Sequence, residues 1–257
     1  MSGPFPRQTL ADTARAARDI LEADLSSLPE IAAQLGDGAL DRMEAYVELL
    51  LAANERLNLT RLTHPDEVAR GHLLDALAAL PQLGDVQPAL AIDLGSGGGV
   101  PAFPLAIARP DLSWLLVESV GKKAQALAGF AETLALANVS VVAERAELIG
   151  RDPHYRERGG LVTARAVASL PVLAELALPL LAQGGLLLAW KGPLSPADEE
   201  LQRGATAAAL LGGARPQLIQ AGPPQLGGHS FVRLTKQGTT PSRYPRRPGE
   251  PARCPLG

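Results

Sequence analysis

Only one cysteine, Cys254, stands in the 257 residues, so no disulfide can form within the chain. Aromatic residues make up 4% of it and methionine occurs twice. No window reaches the roughly 18 uninterrupted apolar residues that a membrane-spanning helix needs. The first 25 residues carry charges throughout and lack the apolar centre of a secretion signal, which leads us to expect a cytoplasmic protein. Net charge is also small: 24 Lys and Arg against 27 Asp and Glu give −3, which argues against wholesale coating by nucleic acid. The charge is unevenly placed, however. Residues 237–257 hold Arg243, Arg246, Arg247 and Arg253 against Glu250, which leaves the tail at +3 and the rest at −6. A local basic segment can hold phosphate even on a slightly acidic protein.

Alanine, leucine and an apolar fraction of 46% predict a helix-rich chain with a compact core. Apolar residues recur at three- and four-residue spacing in 11–25, 28–35, 40–56 and 66–80, which predicts four helices, the last closed by Pro81. From Ala89 the pattern changes. Short apolar runs at 90–94, 114–118, 139–143, 161–164, 185–190, 217–220 and 230–235 read as strands. Helical stretches at 101–108, 122–136, 170–181 and 196–211 lie between most of them. Such alternation predicts right-handed crossovers and a mostly parallel seven-stranded sheet with helices on both faces. The last two strands have no clear helix between them and suit an antiparallel hairpin at one edge. We expect a helical N-terminal region (1–84) packed on the catalytic domain (85–236), and an extended basic arm rich in Pro and Arg (237–257).

The stretch AIDLGSGGGVPAFPLAIA, residues 91–108, runs from a strand through a glycine turn into a helix. In doubly wound sheets ligands bind beyond the carboxyl ends of the strands, so this turn is the natural site. Two ligands compete for it. A dinucleotide fingerprint is met formally by Gly97 to Ala102, but the match is shifted late, and Pro101 removes a backbone N–H that a pyrophosphate would use. The alternative is D-x-G-x-G-x-G, formed by Asp93, Gly95, Gly97 and Gly99. It resembles the first motif of methyltransferases that use S-adenosyl-L-methionine. That cofactor carries no phosphates, only an ammonium and carboxylate, a ribose diol and an adenine. Asp93 suits the ammonium. Glu118, nineteen residues after Gly99, suits both ribose hydroxyls. Ala146 and Glu147, after the third strand, fall where adenine contacts belong. A Walker-type phosphate loop is excluded, because no Lys-Ser or Lys-Thr follows the glycines.

Further stretches narrow the resemblance: NLT (58–60), HLLDAL (72–77), ESVGKKAQAL (118–127), ERAE (144–147), ARAVASL (164–170), WKG (190–192) and YPRRPGEPARCPL (244–256). With the glycine loop they resemble RsmG, also called GidB, a family that methylates a guanine N7 of 16S ribosomal RNA. The resemblance runs from about residue 54 to the C-terminus. It implies a Rossmann-like class I methyltransferase, with the product S-adenosyl-L-homocysteine. It also implies a cofactor site at Gly95, Val100, Glu118, Ser119, Val120, Ala146, Glu147 and Arg165. The chain departs from the family in having Gly71 before the histidine, Ala76 in place of serine and Ala102 in place of glycine.

The chemistry fits the resemblance. Guanine N7 carries a lone pair and no proton, so no general base is obligatory. The body of the chain has no cysteine for an adduct with a pyrimidine ring and no Asn-Pro-Pro-aromatic motif. Arg165 and Lys191, each just past a strand end, are candidates to position the guanine or a phosphate; an ion pair with a neighbouring acid is the plainer alternative. His72 and Asp75 share a helix face and suit either a cap over the cofactor or a packing pair. Asn58 and Thr60 would line the same mouth, or close a loop by hydrogen bonds. Phe103, Trp190 and especially Tyr244 are the aromatics available for base stacking, with Arg243, Arg246 and Arg247 as RNA contacts. Expected partners are 16S ribosomal RNA or the small ribosomal subunit, with no metal, no membrane and a monomeric state. A methyltransferase acting on a small molecule or another RNA remains the alternative, and a nicotinamide oxidoreductase the more distant one.

Overall fold

The computed structural model describes residues 9–84, 90–220 and 223–257. The expected domain boundary at 84/85 therefore lies at the edge of residues outside this description. The first helix, α1 (Leu10–Leu25), starts at a capping box in which Thr9 and Asp12 satisfy each other's backbone N–H groups. It buries Ala14, Ala17, Leu21 and Leu25, the stripe its spacing dictates. A short α2 (Pro29–Ala32) leads to α3 (Ala39–Leu57), which buries Met43, Tyr46, Val47 and Leu50. Asn58 ends α3 in the left-handed conformation at φ 49°.

The single helix expected over 66–80 is instead broken. It divides into α4 (Pro65–Val68), a π-helical turn (Ala69–Leu74), α5 (Asp75–Leu77) and α6 (Leu80–Leu83). Pro81 opens the last of these rather than closing its predecessor, since a first-turn residue has no intrahelical N–H bond to lose. Wide π turns of this kind recur at functional sites.

Seven strands follow: β1 (Leu90–Leu94), β2 (Ser113–Val117), β3 (Val139–Val142), β4 (Gly159–Arg165), β5 (Leu181–Lys191), β6 (Gln217–Gln220) and β7 (Ser230–Thr235). Between and after them lie α7 (Ala102–Ala108), α8 (Gly121–Thr133), α9 (Ala146–Ile149), α10 (Leu170–Ala177), α11 (Glu199–Leu210), a 3₁₀ turn at Pro224–Leu226, and α12 (Glu250–Arg253). Their order in the sheet is β3-β2-β1-β4-β5-β7-β6, parallel except for β7, which runs antiparallel to both neighbours. The expected terminal hairpin does form, but β7 inserts beside β5 and only β6 is at the edge. The helix expected to reach Leu181 stops at Ala177, because Leu181 already pairs with Gly159 in the sheet.

Strand residues alternate between two apolar layers. Ala91, Leu116, Leu161 and Leu188 join α1, α3 and the π turn on one face; Ile92, Leu115, Val162 and Leu187 join α10 and α11 on the other. The N-terminal helices thus share one core with the sheet, which fixes their position over its carboxyl edge.

The tail is not the free, extended arm that its composition suggests. Arg246 pairs with Glu175, which is fully buried on α10. Arg156 donates to the carbonyls of Thr240 and Tyr244, and Arg151 to that of Pro245. Tyr244 is itself part of the core. A buried carboxylate and a run of carbonyls needed cations, and these hold the segment down.

Candidate functional site

β1 and β4 are neighbours in space but remote in sequence, so the winding direction switches between them. The crevice beyond their carboxyl ends is where such sheets bind ligands. Asp93 of β1, Glu118 after β2, Ala146 and Glu147 in α9 after β3, Arg165 of β4 and Lys191 of β5 all lie at that edge.

The glycine loop needs its glycines for space as well as conformation. Gly95 has φ 66°, and a Cβ there would meet the Val167 side chain at 2.9 Å. A Cβ at Gly98 would meet Leu50 at 2.9 Å and the Leu59 carbonyl at 3.3 Å. The N-terminal helices therefore lie directly on the loop. Tyr46 of α3 donates its hydroxyl to the Gly98 carbonyl at 2.9 Å and stacks on Phe103 at 5.1 Å. Burial holds that hydroxyl far above its ordinary pKa, so it remains a donor.

Three carboxylates define the loop's electrostatics. Glu118 accepts from the backbone N–H of Gly97 (2.9 Å) with one oxygen and from that of Val120 (2.8 Å) with the other. Asp93, 1% exposed, accepts the Thr163 hydroxyl at 2.6 Å on Oδ1, while Oδ2 has no hydrogen-bond partner among the described residues. Burial pushes its pKa up to about 6, opposed by the Thr163 and Ser96 hydroxyls and helped by nearby Glu118. Glu147 is buried and accepts both from Arg145 and from the backbone of Gly249 in the tail.

Two cavities meet at Gly95. One, of about 240 Å³, is bounded by Leu59, Thr60, His72, the loop and Arg165. The other, of about 210 Å³, lies between Ser119, Glu144–Glu147, Val167, Val172 and the tail residues Pro251 and Ala252. Expected site residues Gly95, Gly97, Val100, Ser119, Ala146, Glu147 and Arg165 line one or the other. A larger hollow of about 470 Å³ between α8 and β3 is walled mostly by Ala and Val and lies apart from the three carboxylates.

Above the loop, His72 and Asp75 have separate partners. His72 Nε2 lies 2.7 Å from the Thr60 hydroxyl, and burial, with Arg165 nearby, drives its pKa down to about 4. The ring is neutral at physiological pH. Asp75, 1% exposed, faces Arg165 Nη1 at 3.2 Å and His229 Nδ1 at 2.8 Å, and its backbone carbonyl accepts the Trp190 indole N–H. Asn58 shapes the turn, and Asn54 accepts the backbone N–H groups of Leu59 and Thr60.

Several expected substrate contacts are otherwise engaged. Lys191 donates to Glu200 at 2.6 Å and to the Ala168 carbonyl at 2.8 Å, so its ammonium ties β5 to α11 instead of facing a guanine. Phe103 and Trp190 are core residues, and Tyr244 is 8% exposed, too buried to serve as a stacking platform. Arg246 is consumed by Glu175, whereas Arg243 and Arg247 are exposed. Sequence reasoning missed Tyr46, Thr163, Glu175 and His229. Glu175 alone left a signal: one acid in the otherwise apolar run LPVLAELA requires a partner.

Residues 39–221 match the family model of GidB, the rRNA small subunit methyltransferase G. The chain belongs to this family. It is 43% identical over 226 residues to the Ribosomal RNA small subunit methyltransferase G of Roseiflexus castenholzii, covering 87% of this chain and 94% of that relative. It is 44% identical over 218 residues to the protein of the same name from Deinococcus deserti, covering 84% and 88%. Among solved structures, a cofactor-bound protein from MTB superposes with a TM-score of 0.54 at 18% identity, over 76% of this chain and 91% of that one. A putative O-methyltransferase from Klebsiella pneumoniae gives 0.50 at 18% identity, over 79% and 91%. These two likenesses bear on the fold alone, and the fold is that of class I methyltransferases. The chain is thus a methyltransferase of small-subunit ribosomal RNA, with S-adenosyl-L-methionine as its cofactor. Among the described residues no helix is long and apolar enough to cross a membrane, and no cluster of three His, Cys, Asp or Glu side chains could hold a metal ion.

Proposed function

We propose that this GidB chain methylates N7 of one guanine in 16S ribosomal RNA, acting as a cytoplasmic monomer without a metal. The observation that carries the cofactor's placement is the buried, unpartnered Oδ2 of Asp93 at the end of β1. An anionic oxygen with no donor calls for a cation, and the methionine ammonium of S-adenosyl-L-methionine is one. Asp93 and the Gly95–Val100 loop would hold the amino-acid end. Glu118 would take the ribose hydroxyls, giving up or sharing its hydrogen bonds from Gly97 and Val120. Ser119, Val120 and Ala146 would border the adenine.

Bound there, the cofactor supplies an electrophilic methyl group on a sulfonium sulfur. The protein's own contribution is positioning. Guanine N7 presents its lone pair without a proton to remove, so neither His72 nor Asp75 is asked to act as a base. His72, neutral and bonded to Thr60, and Arg165, held by Asp75, wall the 240 Å³ cavity that would receive the base. Among the described residues Arg165 is the guanidinium lining that cavity, and O6 of guanine is an acceptor suited to it. Exposed Arg243 and Arg247 would hold RNA phosphates. The helical region of residues 9–84 would act as a fixed cap on the catalytic domain rather than as a separate unit.

The test is methyl transfer from labelled S-adenosyl-L-methionine to small ribosomal subunits, and to their stripped RNA, from cells lacking this gene. The RNA is then reduced and treated with aniline, which cleaves at N7-methylguanine. A single new cleavage is expected. Label without cleavage would discard N7, and absence of label from both substrates, with cofactor binding intact, would point to a small-molecule acceptor.

A further inference from the structure

The 210 Å³ cavity beside α9 has a wall that the family model does not include. That model ends at residue 221, yet Pro251 and Ala252 line the cavity together with Ala146 and Val172. They stand there because the C-terminal segment is fastened at several points. Arg246 makes a bidentate pair with fully buried Glu175, with contacts of 2.8 and 2.6 Å, and its backbone N–H donates to the same carboxylate. The same guanidinium reaches back to the Cys254 carbonyl at 2.8 Å, closing the segment into a loop. On the other side, Gly249 donates its N–H to Glu147 at 2.8 Å. Bidentate Arg–carboxylate contacts fix orientation as well as distance.

The lining has the character of a site for a flat heteroaromatic ring. Val167, Val172, Leu176 and Pro251 give apolar surfaces, and Ser119 and Glu144 add polar groups. Glu147 already accepts from Arg145 and from Gly249 with its two oxygens. It also fastens the tail, through the Gly249 N–H.

We propose that Pro251 and Ala252 are part of the adenine subsite, held in place by the Arg246–Glu175 pair, so that the C-terminal segment belongs to the cofactor site. This rests on the cofactor reading given above. It makes cofactor binding depend on a segment that composition alone assigns to RNA or to solvation.

The experiment measures binding of S-adenosyl-L-homocysteine and of adenosine to the full-length chain by calorimetry. Ala252 is exposed, so Ala252→Trp can enlarge the side chain without displacing core. The expected result is a loss of about tenfold or more for both ligands, equivalent to about 1.4 kcal/mol, with the melting temperature of the free protein unchanged. Arg253→Ala, on the same short helix but outside the cavity lining, leaves both affinities as in the parent. A second variant, Glu175→Gln with Arg246→Met, removes the fastening without stranding a buried charge, and it too weakens both ligands. Parental affinity in Ala252→Trp would overturn the proposal. Failure of the parent chain to bind S-adenosyl-L-homocysteine would instead overturn the cofactor reading on which it rests.

Discussion

Asp75 Oδ2 lies 3.2 Å from Arg165 Nη1, and this contact joins the helical N-terminal segment to the end of β4. Both groups are largely withdrawn from water, and His229 adds a second contact to the same carboxylate. Removing one member of a buried pair costs more than the pair contributes, because the other is left uncompensated. Asp75→Ala should therefore destabilise the protein by roughly 3–5 kcal/mol. Urea denaturation measures this, and a loss below about 1 kcal/mol would mean that water satisfies Arg165 as well as Asp75 does. Asp75→Asn keeps the shape and the backbone bond to Trp190. It should retain the fold but let Arg165 wander, raising the apparent KM for RNA more than it lowers cofactor affinity.

Glu118 bridges the glycine loop and the start of α8 through two backbone N–H groups. In Glu118→Ala those donors lose a charged acceptor, and the ribose hydroxyls proposed to bind there would lose theirs. Hydrogen bonds to a charged group contribute roughly 1.5–3 kcal/mol, so S-adenosyl-L-homocysteine should bind about ten- to a hundredfold more weakly. Calorimetry at fixed pH is the measurement. Unchanged affinity would place the ribose elsewhere.

Much of this arrangement is legible in the order of the residues, for identifiable reasons. The alternation of strand and helix and the acids at successive strand ends are local patterns, and the sheet order brings those ends to one edge. What escapes is set by tertiary context. Lys191 and Arg165 look equivalent in sequence, each one step past a strand core, yet Glu200 on α11 engages the first and Asp75 the second. Tyr244 and Arg246 read as RNA-facing because arginine and an aromatic sit side by side. The buried Glu175, 71 positions earlier in the chain, helps to turn that segment inward, together with Arg151 and Arg156. Tyr46 reads as an ordinary buried residue of an amphipathic helix, and nothing local says that its hydroxyl meets Gly98.

Asp93 and His72 give opposite pH dependences over nearly the same window. Burial raises the Asp93 pKa from 3.8 to about 6, so the native state disfavours its charge and loses stability as pH rises through that range. His72 falls from 6.5 to about 4, so its contribution is complete above 6.5 and is lost as pH falls towards 4. Each shift corresponds to about 3 kcal/mol. In the free protein the two contributions oppose one another, and single substitutions should unmask them. The stability difference between parent and His72→Gln should grow as pH rises from 4 to 6.5, while that between parent and Asp93→Asn should shrink. Parallel pH–stability curves would show that neither group is perturbed. Cofactor binding adds an independent readout. The ammonium contact proposed for Asp93 would need the ionised carboxylate, so parental affinity should fall as pH drops below about 6, and Asp93→Asn should bind weakly with no such dependence.

The tail arginines separate by what they touch. Arg243 and Arg247 are exposed, the first lying over the Tyr244 ring at 5.0 Å, whereas Arg246 is spent on Glu175. An arginine that neutralises one RNA phosphate releases about one counterion, and removing it takes away that share of the salt dependence. The double change Arg243→Ala with Arg247→Ala should weaken RNA binding and reduce the slope of log K against log salt by about one to two, leaving the melting temperature and cofactor affinity as they were. Arg246→Ala should behave differently: it strands a fully buried carboxylate, so its first effect is on stability and on the docking of residues 246–254. If the exposed pair leaves the salt slope unaltered while Arg246→Ala changes it, the basic segment meets RNA through its docked face. The two exposed arginines would then serve solubility alone.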